Sequence, residues 1–337
     1  MLDNVTAGAS RRGVLTGGAL AAVAAAMAPG VMAQTTVPGE KQPSRKDRSA
    51  GFYRFKFGDA TVTVLSDGRV YSSDPKKTFS GGSVQEIDTV LTDNFLETNR
   101  VVLDENVIVI ENGGRTVLID CGVGSSQLFG KSGGKLLANM AAAGIPPADV
   151  GTILLSHAHP DHLGGLMTDA AARNFPNAQI YLGQEEFGFW TDAARMGTPL
   201  AAFHQLAVQQ LMPNRDRLHF IKEGQEVVPG ILAVSSPGHT IGHMHFLLTS
   251  AGKTLACTAD LSRHHILGLE KRWEFVGDFD PKLSIATRER YLLRYAEDRI
   301  PILSYHYPWP GLGHVVRWGD AFKYIPTAMD MSSDEAI

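Results

Sequence analysis

Cysteine is almost missing from this chain. There are two in 337 residues, Cys121 and Cys257, far apart and each at the end of an apolar run. Such a pair gives no disulfide framework, and two buried thiols are the expectation. Clustered basic charge is missing too. The formal net charge is −4 and no block of like charge stands out. Nucleic acid is therefore excluded as a partner, because binding a phosphate backbone needs a concentrated basic face. No tandem repeat of short period occurs, and beyond the first 33 residues no apolar run approaches the length of a membrane span. What is left is ordinary globular composition, 44% hydrophobic and 20% charged, with material for one large core or two small ones.

Residues 1–33 read as an export signal. Ser10-Arg11-Arg12-Gly13-Val14-Leu15 sets two arginines ahead of an Ala- and Gly-rich apolar stretch, and Val31-Met32-Ala33 puts small residues at a peptidase site before Gln34. The arginine pair resembles a twin-arginine signal. It implies a periplasmic or secreted protein with no stable membrane association after cleavage. Residues 34–50, rich in Pro, Lys, Arg and Ser, read as a flexible linker, and 51–337 as the working domain.

Alternation predicts a hairpin over 52–57 and 61–65, and a second over 107–110 and 116–119 around Asn112-Gly113-Gly114. Helices are expected at 133–143, 184–195, 200–212 and 283–298. Further strands are expected at 152–156, 178–182, 217–221, 231–235, 244–249, 253–258 and 301–305. Strands lead and helices follow in each half. The implied fold is α/β: an αββα sandwich of two mixed β-sheets flanked by helices, in one domain.

The most informative stretch is His157-Ala158-His159-Pro160-Asp161-His162, directly after the apolar run 152–155. Imidazole and carboxylate are the usual ligands of catalytic zinc and related ions. Four such groups on one loop exceed what a single open tetrahedral ion needs, so the segment points to two metals and to hydrolysis. Three single residues join it, each where a predicted strand runs out: His239, Asp260 and His306. Strand ends can converge on one rim of a sandwich. Two divalent ions roughly 3.5–4 Å apart can share a water and make it hydroxide near neutral pH. Two carboxylates among neutral imidazoles would leave the centre net positive, which favours a developing oxyanion. Asp120 is a candidate acceptor for a ligand imidazole N–H. His204, His219 and His314 read as structural.

The pattern His-x-His-x-Asp-His at 157–162, with later His239, Asp260 and His306 in order, resembles the metallo-β-lactamase-fold hydrolases over essentially all of 51–327. Leu118-Ile119-Asp120-Cys121-Gly122 and Gly238-His239-Thr240-Ile241-Gly242-His243 agree with it. Within that superfamily the chain is similar to the methyl parathion hydrolase group, through Thr63-Val64-Leu65-Ser66-Asp67-Gly68, Phe129-Gly130, Asp161-His162-Leu163-Gly164-Gly165-Leu166-Met167, Phe175-Pro176-Asn177-Ala178 and Pro310-Gly311-Leu312-Gly313-His314.

The resemblance implies that His157, His159 and His239 hold one ion and that Asp161, His162 and His306 hold the other. Asp260 would bridge them, and Asp260 and Asp161 are the carboxylates expected in the catalytic step. It implies two divalent ions, zinc first, with manganese, cobalt or iron as alternatives. His243 would hydrogen-bond near the site. Phe129, Trp190 and Phe203, with His264 and His265, would line the substrate pocket. The expected activity is attack of a metal-bridged hydroxide on a small neutral ester-like substrate, a phosphotriester or aryl ester. An acyl-homoserine lactone or a β-lactam are the alternatives. A non-catalytic metal-binding module on the same fold is the alternative from another class, and a homodimer is compatible with the sequence.

Overall fold

In a computed structural model the described residues are 49–330. The export signal expected over 1–33 lies outside them, as does the 34–50 linker apart from its exposed last two positions, Ser49 and Ala50. No helix among the described residues is long and apolar enough to cross a membrane.

Among the described residues, sixteen strands and seven α-helices follow one another. The strands are β1 (Phe52–Phe57), β2 (Ala60–Ser72), β3 (Phe79–Ser80), β4 (Val101–Asn112), β5 (Arg115–Ile119), β6 (Thr152–Leu154), β7 (Gln179–Gly183), β8 (Leu218–Ile221), β9 (Glu226–Val228), β10 (Ile231–Ser235), β11 (Met244–Ser250), β12 (Lys253–Ala259), β13 (Glu274–Phe275), β14 (Ile302–Ser304), β15 (Leu312–Trp318) and β16 (Ala321–Pro326). The helices are α1 (Pro75–Thr78), α2 (Val84–Asp93), α3 (Leu136–Ala143), α4 (Pro160–Leu163), α5 (Gln184–Thr191), α6 (Ala201–Leu211) and α7 (Pro281–Glu297). One seven-stranded sheet runs β1-β2-β4-β5-β6-β7-β8 and the other β16-β15-β14-β12-β11-β10-β9, with β3 and β13 a separate ribbon. Both sheets are mixed: β5 to β8 pair in parallel in the first, and β12 with β14 in the second.

Period-two alternation builds the layers. In β4, Ile108 and Ile110 face the second sheet and meet Phe246, Leu248, Leu255 and Cys257, whereas Val107 and Val109 face outward. There they meet Met140 of α3, and Trp190 of α5, Phe203 of α6 and Leu163 of α4 belong to the same cluster. In β12, Leu255 and Cys257 point inward while Ala256 sits on Tyr291, Leu292 and Tyr295 of α7. Each large side chain so buried contributes about 1.5–3 kcal/mol. The αββα sandwich expected from the sequence is the fold.

Several expected elements differ in extent. The helix expected at 184–195 ends at Thr191, because Asp192 takes an extended conformation and its side chain caps Ala194 N to start a separate 3₁₀ turn, Ala193–Arg195. The helix expected at 133–143 begins only at Leu136, whose N–H donates to buried Asp67 along with those of Val123 and Gly134. The strand at 301–305 is not the last: β15 and β16 follow as a hairpin on the edge of the second sheet. Helix α2 is new as well, held by a capping box between Ser83 and Glu86.

Candidate metal centre

Each residue of the candidate site stands where a strand stops. After β6 the chain passes through His157 and His159, and His159 is the N-cap of α4, with Pro160 at the first helical position. That single turn presents Asp161 and His162. The glycines that follow are dictated by contact: a Cβ on Gly165 would stand 2.0 Å from the Cys121 carbonyl oxygen. His239 lies beyond β10, Asp260 follows β12 after Ala259 at φ 46°, and His306 follows β14.

The seven side chains form two buried groups, His157, His159, His239 and Asp260 in one, and Asp161, His162 and His306 in the other. In the first, His159 Nδ1 lies 3.0 Å from both His157 Nε2 and His239 Nε2, and Asp260 Oδ2 is 3.1 Å from His239 Nε2. Ligand nitrogens on a tetrahedral zinc are roughly 3.3 Å apart, so this spacing fits one ion. In the second, His306 Nε2 and His162 Nε2 stand 3.5 and 3.7 Å from Asp161 Oδ2. Asp260 Oδ1 turns to the same two rings, at 3.3 Å from His162 and 3.2 Å from His306. One carboxylate thus offers one oxygen to each group. Asp161 Oδ2, His162 Nε2, Asp260 Oδ1 and His306 Nε2 are buried with no hydrogen-bond partner. Buried polar atoms are rarely left so, and four that converge on one point fit a divalent ion.

Behind the rings stand more carboxylates than the sequence suggested. Asp120 Oδ2 is 2.8 Å from His162 Nδ1, as expected, and also accepts from the Ser156 hydroxyl. Asp278 Oδ1 is 2.8 Å from His239 Nδ1, whereas His306 Nδ1 hydrogen-bonds the Asp104 backbone carbonyl at 3.1 Å, with Glu105 Oε1 at 3.2 Å beside it. A carboxylate on the far nitrogen fixes the tautomer and orientation of a ligand histidine. Three carboxylates thus stand behind the two ligand carboxylates, and burial raises that of Glu105 to about 8. Arg263 is the compensating group: it is partly buried, donates from Nη1 to Asp260 Oδ2, and lies over the Phe275 ring. Asp278 and Arg263 had no motif to flag them. Glu105 did: Asp104-Glu105-Asn106 interrupts an otherwise apolar strand.

The two groups differ electrostatically. Burial and neighbouring imidazoles hold His157 and His159 well below the usual histidine range. Burial also disfavours charge on His162, but Asp260, Asp120 and Asp161 outweigh it and hold that ring well above its usual range. Asp260 and Glu105 likewise overcome burial at His306 and raise it to about 9. The second group lies in a negative field that a cation relieves.

His243 is placed as expected, its Nε2 accepting from the Asp260 N–H at 3.2 Å and its Nδ1 sharing a hydrogen bond with Ser236 Oγ at 2.8 Å. Trp190 and Phe203 meet the His159 ring edge-on at 5.1 and 5.7 Å, and Phe129 meets Phe203 at 5.7 Å. These three make one aromatic wall beside the first group. His264 and His265 do not join that wall. His264 Nδ1 accepts from the N–H groups of Ile266 and Leu267 to shape a turn, and His265 stacks on it at 4.8 Å.

A four-layer α/β sandwich with two fused His/Asp groups at the strand ends defines a metal-dependent hydrolase. The sequence profile described as "Metallo-beta-lactamase superfamily" matches residues 100–316, and the chain belongs to that superfamily. An N-acyl homoserine lactonase of Bacillus thuringiensis is 29% identical over 150 residues, 44% of this chain and 52% of that protein. The chain spans about half the length of the curated relatives it matches. Among solved structures, AidC, a dizinc quorum-quenching lactonase in complex with a product, N-hexnoyl-L-homoserine, superposes with a TM-score of 0.77 at 28% identity, covering 82% of this chain and 98% of that one. The hydrolase AbOPH in the beta lactamase superfamily matches equally, with a TM-score of 0.77 and 28% identity over 84% and 99%. The chemistry named among these relatives is lactone hydrolysis, where the sequence motifs had suggested the methyl parathion hydrolase group.

Proposed function

We propose that the protein hydrolyses the ring ester of lactones, with N-acyl homoserine lactones as the substrate class. The observation that carries this reading is Asp260, one oxygen facing each ligand group, in a fold shared along most of its length with a dizinc lactonase. His157, His159 and His239 would hold one divalent ion and Asp161, His162 and His306 the other, with Asp260 between them and zinc the first choice. Bound there, the ions would supply Lewis-acid activation of a water and of the ester carbonyl. The chain's own residues do the rest. Asp120, Asp278 and the Asp104 carbonyl hold three ligand rings in register. Arg263 pairs with Asp260 and offsets its buried negative charge. Trp190, Phe203 and Phe129 exclude water from one side and offer an apolar surface to an acyl chain.

A second reading, phosphotriester or aryl ester hydrolysis, is favoured by the same aromatic wall, which suits a flat leaving group. The non-catalytic reading has no such support, since all seven ligand residues are in place. The test is a panel on the zinc-loaded protein: an N-acyl homoserine lactone, methyl paraoxon, an aryl acetate and a cephalosporin, with His159→Ala as control. The lactone should lead in kcat/KM by at least about tenfold. A lead for methyl paraoxon transfers the assignment to the second reading, and two bound ions with no hydrolysis of any compound overturns both.

A further inference from the structure

One buried carboxylate takes no part in the chemistry above, yet it joins the loops that carry the first group. Glu186, in the first turn of α5, is fully buried. Its Oε2 accepts from the backbone N–H of Ala158 at 3.1 Å and from the Trp190 indole at 2.9 Å. Its Oε1 accepts from the backbone N–H of Gly242 at 2.8 Å. Ala158 sits between His157 and His159, and Gly242 comes three residues after His239. The fit around Glu186 is close: a Cβ on Gly242 would stand 3.1 Å from its backbone nitrogen and 3.2 Å from its Cγ.

A carboxylate taken out of water costs several kcal/mol unless its oxygens are well bonded. Here three N–H donors from three separate segments meet that need, so none can shift without leaving the charge unsatisfied. The two backbone bonds fix the relative position of the 157–159 and 239–242 segments. The third fixes the indole whose ring lies against His159.

We propose that Glu186 is the positioning residue of the first ion site, setting the spacing of His157, His159 and His239 and coupling that ion to the Trp190 wall. The proposal rests on the two-ion reading. Its three bonds go only to first-group loops and to Trp190, so its influence is confined to one ion.

The test is zinc titration of the full chain against a chromophoric chelator, with tryptophan fluorescence recorded in parallel. Wild type should bind two equivalents; any other stoichiometry defeats the two-ion reading itself, whatever the variants do. Glu186→Gln should weaken one ion by roughly tenfold or more and leave the other unchanged. The indole response to zinc, lost in Trp190→Phe, should move to correspondingly higher zinc in Glu186→Gln. Equal weakening of both ions, or of neither, overturns the proposal. Should Glu186→Gln fail to fold, Gly242→Ala decides: it presses on Glu186 from the other side and should weaken the same single ion, and unaltered binding counts against the role.

Discussion

The two halves of the metal centre share Asp260 and little else. The first is a knot of imidazoles, with ring centroids of His157, His159 and His239 only 4.6 to 5.0 Å apart, carried on loops and adjoining an aromatic wall. The second is carried by the single turn of α4 and the end of β14, and its two rings are 5.6 Å apart and each backed by a carboxylate. Crowding and burial keep His157 and His159 from protonation, whereas Asp260 and Asp278 overcome burial at His239 and raise it. The second gathers negative charge and gains most from a cation. The difference teaches that one half is organised by packing and the other by electrostatics.

Removing what they share is the largest perturbation. Asp260→Asn should weaken both ions and lower kcat/KM beyond the roughly 100-fold typical of an outer hydrogen-bond partner. Metal analysis in which only one ion is lost would show that the two oxygens are not divided as the geometry suggests.

A double dissociation sharpens the contrast. Glu105→Gln should weaken the ion held by His306, and Asp278→Asn the ion held by His239, each by roughly 10–100-fold. Competitive zinc titration separates the two, and both variants losing the same ion would sink the assignment.

The smallest effect on metal binding is expected away from both halves, at His245, where stability is read instead. Burial drives its pKa down to about 3, with Nδ1 on Ser236 Oγ and the Tyr295 hydroxyl on Nε2. Its folded pKa lies below the unfolded value of about 6.5, so the unfolded chain binds the extra proton. The stability contribution is complete above about pH 6.5 and is lost as pH falls toward 3. Between pH 6.5 and 5 this amounts to on the order of 2 kcal/mol. Urea midpoints at the two pH values measure it, and a His245→Gln variant that kept the full wild-type slope would refute the attribution.

How much of this was legible in the sequence follows from the range of each signal. Alternation in β1, β4 and β12 is a local property, and it gave strands, faces and the sandwich. The seven ligand residues stood out because four share six positions and the rest end apolar runs. Asp278 and Arg263 are set by where a loop after β13 and a turn after β12 happen to pack, which no local pattern encodes. Helix α2 had its signal, Ser83 with Glu86 and buried Ile87 and Leu91 at i, i+4, but only ten residues to show it. The edge hairpin of β15 and β16 was missed because its outer positions, among them Trp318 and Val316, are exposed apolar residues that blur the alternation.

The two cysteines supply something beyond packing. Cys121 is sealed between the first sheet and its helices, and Cys257 between the two sheets. Burial pushes the first thiol well up and the second to about 12, so neither reacts while its layer is closed. Each is a clock for a different seam of the sandwich. The rate at which a thiol reagent labels one before the other would tell which layer parts first, with no mutation.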